Sequence, residues 1–144
     1  LMDQINFFYE DTGFELIHKE IITSWIEHTI QSENHKLSEI NYVFCSDEYL
    51  HQINVDYLQH DYYTDIITFD NSEEKGIVES DIFVSVERVQ DNAQDQGIPF
   101  EDELRRVIIH GVLHLLGYND KSDTEQATMR EKENAYLSLP QFQI

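Results

Sequence analysis

The sequence predicts one α+β domain over residues 2–144, a small mixed four-stranded sheet packed with about five helices. Three observations lead there. Helical and strand patterns alternate through the first half, and helices cluster in the last third. No internal repeat, low-complexity tract or linker interrupts the chain. A length of 144 residues suits a single core and is short for two.

Residues 5–9, INFFY, form an apolar and aromatic run that reads as the first strand. Over 15–32, Leu16, Ile17, Ile21, Ile22, Trp25, Ile26 and Ile30 recur at helical spacing and give one buried face. The second strand covers 37–45, with Ile40, Tyr42 or Val43, and Phe44 turned inward. Ser46-Asp47-Glu48 then offers a hydroxyl or carboxylate to the unpaired N–H groups of a helix start. That helix runs toward Leu58 and buries Leu50, Ile53, Val55 or Tyr57, and Leu58.

Residues 64–70, TDIITFD, are a β-branched strand, 71–76 a polar turn, and 77–86 a strand in which Ile82, Val84 and Val86 alternate with Asp81, Phe83 and Ser85. Joined this closely, the two strands are expected to be antiparallel neighbours. A polar helix over 86–94 ends before Gly97-Ile98-Pro99. The main helix spans 101–116 and stops at Gly117. Ser122-Asp123-Thr124-Glu125 has the capping-box pattern. It opens a last helix carried by Ala127, Met129 or Arg130, Glu133, Ala135, Tyr136 and Leu137 to about Leu139, before Pro140.

Nine Lys plus Arg against 29 Asp plus Glu leave a formal charge of −20. Such a chain repels polyanions on average, which counts against a broad nucleic-acid surface and leaves room only for a local basic patch. Eight Tyr, eight Phe and interspersed charges argue against disorder. Cys45 is the only cysteine, so no internal disulfide forms, and a reducing cytoplasm is the expected setting. No apolar run approaches the roughly 18 residues of a membrane span, and no basic-then-apolar leader precedes the first strand, so no membrane association is expected.

Residues 110–120, HGVLHLLGYND, hold the chemistry. On a helix, His110 and His114 share one face about one turn apart, within reach of a single ion. The remaining circumference is apolar, and imidazoles in such an element are costly unless their nitrogens are bonded. Gly117 turns the chain back, so Asp120 can supply a third ligand beside two imidazoles. Three protein ligands leave one position for water, the catalytic arrangement, and zinc lowers the pKa of that water toward about 7. The carboxylate makes zinc a weaker Lewis acid and also suits a harder ion such as manganese. The same spacing fits the ligand frame of metzincin proteases, but their general base follows the first histidine, and here that position is Gly111. Peptide hydrolysis is therefore disfavoured.

The stretch closely resembles the signature H-G-x-L-H-L-x-G-Y-D-H of the YbeY family of bacterial endoribonucleases and matches its fixed positions up to Tyr118. TDIITF at 64–69 is similar to the family's TDVLSF strand, and SDIFVS at 80–85 to its GDIxIS strand, with Ser80 where glycine is usual. Order and spacing agree as well, so the resemblance spans most of the chain. It implies a metal-dependent, single-strand-specific endoribonuclease acting in ribosomal RNA maturation and ribosome quality control. It also implies a small sheet with packed helices, an ion at the end of the main helix, and a cleft that admits single-stranded RNA. Ribosomal RNA precursors, ribosomal proteins and the small ribosomal subunit are the implied partners. Besides Ser80, the chain departs from the pattern in two places. Asn119-Asp120 replaces Asp-His, and Leu58 falls where the family keeps an arginine.

The expected metal ligands are therefore His110, His114 and Asp120, with one catalytic zinc per chain, and the expected catalytic set is His110, His114 and Arg106. Arg106 lies near the histidine face and can meet a phosphate or pair with one of many acids; Arg88, Arg105 and Lys121 could join it in a local basic rim. Asp65, Asp81, His60 and Asp61 are candidates for the cleft border, Tyr62 and Tyr63 for stacking on bases, and Ser85 and Thr64 for local or substrate bonds. Cys45 reads as buried packing and Asn119 as a turn former. A second functional class is a ribosome- or RNA-associated protein whose metal is structural and whose catalysis is weak or absent.

Overall fold

The computed structural model describes residues 4–144; Met2 and Asp3, at the start of the expected domain, lie outside the described residues. In chain order the elements are β1 (Ile5–Glu10), α1 (Lys19–Ser32), β2 (Lys36–Cys45), α2 (Asp47–Leu58), β3 (Ile66–Asp70), β4 (Ile77–Ser85), α3 (Val86–Gln96), α4 (Phe100–Leu115) and α5 (Asp123–Leu137). A 3-10 turn follows at Pro140–Phe142. The sheet order is β1-β2-β4-β3. β1 pairs with β2 and β2 with β4 in parallel, and β3 runs antiparallel to β4. The expected mixed sheet and closing hairpin are both present.

The two sheet faces are unequal. On the main face Ile40, Tyr42 and Phe44 of β2 and Ile82 and Val84 of β4 are fully buried beneath α1 and α4. The alternation therefore points Tyr42 inward, and Val43 is the partner that faces away. The opposite face carries a smaller cluster of Cys45, Leu50 and Ile67, covered by α2. α4 is the central helix: Leu104, Ile108, Ile109, Val112 and Leu113 have no exposed surface. Each such side chain contributes about 1.5–3 kcal/mol by leaving water.

Gly111 fixes how closely α4 meets the sheet. A Cβ there would lie 2.8 Å from Ile66 Cδ1 and 3.4 Å from Thr68 Cγ2, so glycine lets the helix rest on β3 without moving the Ile66 side chain. At the helix end, Gly117 (φ 107°) donates its N–H to the His114 carbonyl, and Tyr118 donates to the Leu113 carbonyl, both at 3.1 Å. This paired reversal is the Schellman motif, and it sends the chain back along the helix. The capping box forms as expected, with Ser122 accepting from Glu125 N and Glu125 accepting from Ser122 N.

Three local expectations are corrected. α1 begins at Lys19, since His18 adopts the left-handed conformation (φ 57°) and breaks the helical run. Leu16 still reaches the core from the preceding loop, while Ile17 is 54% exposed. On α2, Tyr57 and Leu58 are exposed, and the buried position is Asn54, whose Nδ2 donates to the Tyr62 carbonyl at 2.9 Å. On α5 the alternatives resolve to Met129, Glu133 and Tyr136 inside, with Ala127 and Arg130 outside.

Candidate active site

His110 projects from the middle of α4 toward two carboxylates. Its Nδ1 donates to Glu133 Oε2 at 2.8 Å, and its Nε2 stands 3.3 Å from Asp120 Oδ2. Glu133 lies on the buried stripe of α5, and its side chain is 6% exposed. The other Glu133 oxygen accepts from Arg106 Nη1 at 2.8 Å, and Arg106 Nη2 donates to Asn134 Oδ1 at 2.9 Å. Burial alone would push the Glu133 carboxyl up, but the hydrogen bonds from His110 and Arg106 outweigh it and hold the group below the usual range. An ionised Glu133 can only accept, so Nδ1 carries the proton and Nε2 is the nitrogen turned toward Asp120.

The Asp120 side of the site is tied down through Tyr118. Its hydroxyl donates to Glu33 Oε1 at 2.6 Å, while Tyr136 and Lys132 of α5 hold Glu33 Oε2. One carboxylate at the end of α1 thus clamps the reversal after α4 to α5. Burial would raise Glu33, yet the bonds from Tyr118 and Tyr136 and the Lys132 charge leave it lowered.

His110, Asp120, Arg106 and Glu133 line a cleft of about 610 Å3 between α4, α5 and the start of β3. Asp65 and Glu103 line it too, and burial pushes both of their carboxyls up. His114 follows one turn along α4, is exposed, and is not part of the cleft lining. Among the described residues no three His, Cys, Asp or Glu side chains are grouped closely enough to hold an ion. The structure therefore brings together two of the three expected ligands.

Those two suit a divalent ion. Donor atoms sharing a tetrahedral zinc at about 2.0–2.1 Å stand roughly 3.3 Å apart, the separation found between His110 Nε2 and Asp120 Oδ2. The second nitrogen of His110 is held by a carboxylate, the outer support that metal-ligating imidazoles commonly have. His114 supplies a further imidazole on the same helix.

Other candidates have different employment. Arg105 stacks over Trp25 at 4.6 Å and donates to the Phe142 carbonyl, a core role. Arg88 pairs with Asp47 at 2.6 Å and lies over Tyr63. Ser85 caps α3, and Thr64 Oγ1 bonds to the Ile66 carbonyl. Asp81 accepts from Asn41 and Asn71 on the sheet. Cys45 is buried, and its thiol is pushed up to about 12 by burial and by neighbouring carboxylates. Tyr62 stacks on His60 and Tyr63 on His51, at the surface, and Lys121 is exposed. The sequence placed neither Glu133 nor Glu33 at the site, and Glu133 stood only among the residues that carry the last helix. A carboxylate on the apolar stripe of the last helix was the available sign for Glu133, since buried acids require partners.

Comparison with known proteins gives the chain a family. A family model described as Endoribonuclease YbeY matches residues 6–140. A Cytophaga hutchinsonii protein named Endoribonuclease YbeY is 54% identical over 140 residues, covering 97% of this chain and 98% of its own. One of the same name from Flavobacterium johnsoniae is 53% identical, covering 94% and 96%. The solution structure of TM1509 from Thermotoga maritima superposes with a TM-score of 0.64 at 27% identity, over 91% of this chain and 86% of that one. By the family-model match over residues 6–140 and by identity along nearly its whole length, the chain belongs to the endoribonuclease YbeY family.

Proposed function

We propose that the chain cleaves single-stranded RNA in the cleft between α4 and α5 with a divalent ion held by His110, His114 and Asp120. Ribosomal RNA precursors at the small ribosomal subunit are the proposed substrate, and the cytoplasm the proposed site of action. Membership of the YbeY family makes the chain an endoribonuclease, a hydrolase of RNA phosphodiester bonds. The observation that carries the metal reading is the His110 imidazole, held at Nδ1 by Glu133 and facing Asp120 with Nε2.

Zinc suits two imidazoles and a carboxylate, the carboxylate also admits manganese, and either ion would supply Lewis acidity to the phosphodiester. The chain's own groups do the rest. Glu133 orients His110 and, in the neutral ring, places the proton on Nδ1, so that Nε2 is the nitrogen that would face an ion. Arg106 matches the Glu133 charge and lines the cleft. The Glu33 clamp on Tyr118 fixes the loop that presents Asp120. Asp65, raised by burial and set near His110, borders the space where the scissile bond would lie.

The test is cleavage of single-stranded RNA by the purified chain with and without chelator, beside His114→Ala, together with elemental analysis of the native protein. Chelator-sensitive cleavage that the variant lacks is the expected result. Equal cleavage in every sample rejects the metal reading.

A further inference from the structure

The cleft receives one arginine from each helical wall, and the two are in different states. Arg106 of α4 commits both terminal nitrogens, Nη1 to Glu133 and Nη2 to Asn134. Arg130 of α5 has a side chain 57% exposed and reaches Glu133 Oε1 only at 3.9 Å, too far for a hydrogen bond. We propose that Arg130 binds a substrate phosphate in this cleft, and that Arg106 is a positioning residue acting on His110 through Glu133. The proposal rests on the RNA-cleavage reading above and names the cation that would receive the RNA.

Placement supports it. Gln126, Ala127, Arg130 and Glu133 fall on one stripe of α5 and line the cleft. Glu133 is buried at the inner end of that stripe, and Arg130 lies one turn outward, with the small Ala127 beside it. The His110–Asp120 pair lines the same space. A guanidinium presents paired donors to phosphate oxygens, which makes an uncommitted arginine better suited than a lysine. Drawing Arg106 to a phosphate instead would strip a hydrogen bond from a buried carboxylate. The acids around Arg130 are also partly engaged by the protein itself. Glu133 is matched by Arg106 and His110, and Asp65 and Glu103 are set inward, with burial pushing their carboxyls up. Asp120 and the exposed Asp123 remain as opposing charges.

The experiment measures binding of a labelled single-stranded RNA oligonucleotide across a series of KCl concentrations. It uses the whole chain as wild type, Arg130→Ala, Arg130→Lys and Arg106→Ala, with 15N spectra of the His110 ring and thermal melts for each. Arg130→Ala should weaken binding about tenfold at low salt and reduce the slope of log affinity against log salt by about one. Its melting temperature and His110 signals should match wild type. Arg130→Lys should recover the slope and part of the affinity. Arg106→Ala should keep the slope while shifting the His110 nitrogen signals. An unchanged slope in Arg130→Ala, or a lost slope in Arg106→Ala with His110 undisturbed, overturns the assignment. A wild-type chain that binds no RNA at all overturns the RNA reading itself, and Arg130 with it.

Discussion

His110 and His114 stand one helical turn apart in the same motif, yet their surroundings are opposite. His110 is largely enclosed, with a carboxylate at each ring nitrogen and an arginine anchoring one of those carboxylates. His114 is exposed and lies beyond the cleft lining. The contrast separates two ways of making a ligand. On the proposed metal reading, one imidazole would be pre-oriented by the fold and the other would be gathered by the ion.

The largest expected effect comes from breaking the exposed half. His114→Ala should leave the melting curve within about 0.5 kcal/mol of wild type, since the side chain packs on little. Chelator-sensitive RNA cleavage should fall by more than the roughly 10–100-fold that losing an outer support costs. A variant that melts early and keeps its activity would reverse the contrast. Next is the enclosed half. Glu133→Gln keeps the shape but removes the charge, so metal affinity measured by calorimetry should drop about 10–100-fold, and His110 should lose its single ring tautomer in 15N spectra.

Gly111→Ala sharpens the comparison from the back of the helix. The added methyl would press Ile66 at 2.8 Å, shifting α4 or displacing that side chain at a cost of about 1–3 kcal/mol by denaturant unfolding. A shift of α4 should loosen His110 from Glu133, whereas His114, exposed and outside the cleft lining, has no such contact to lose.

The smallest effect is the pH dependence of the Glu33 clamp. Its carboxyl is lowered from an ordinary value of 4.5, so its contribution is present above about that pH and is lost as pH falls through the lower folded value. The melting-temperature gap between wild type and Glu33→Gln should be steady from neutral pH down to about 4.5 and close below it. A gap that widens on acidification would contradict the sign.

Much of the enclosed half was legible in the sequence, and the reasons are local. The stop at Gly117, the reversal and the capping box at Ser122 are set by residues within a few positions of one another. The hairpin of β3 and β4 was equally local. What stayed hidden depends on distant packing. Glu133 meets His110 across 23 positions because α5 lies against α4, and no spacing rule encodes that contact. The parallel pairing of β1, β2 and β4 follows from crossovers and not from strand composition. The start of α1 was obscured because Leu16 continues a helical rhythm while entering the core from a loop. Leu58, where relatives are expected to keep a cation, emerged at the surface instead of on the buried face of α2.

The fit of Gly111 against β3 also bounds what this centre can become. A glutamate acquired there by point mutation would set its Cβ 2.8 Å from Ile66 Cδ1 before the rest of the side chain could approach the space beside His110. A step from this motif toward the zinc-peptidase one, a single substitution on paper, would thus require the Ile66 side chain to give way beneath the helix.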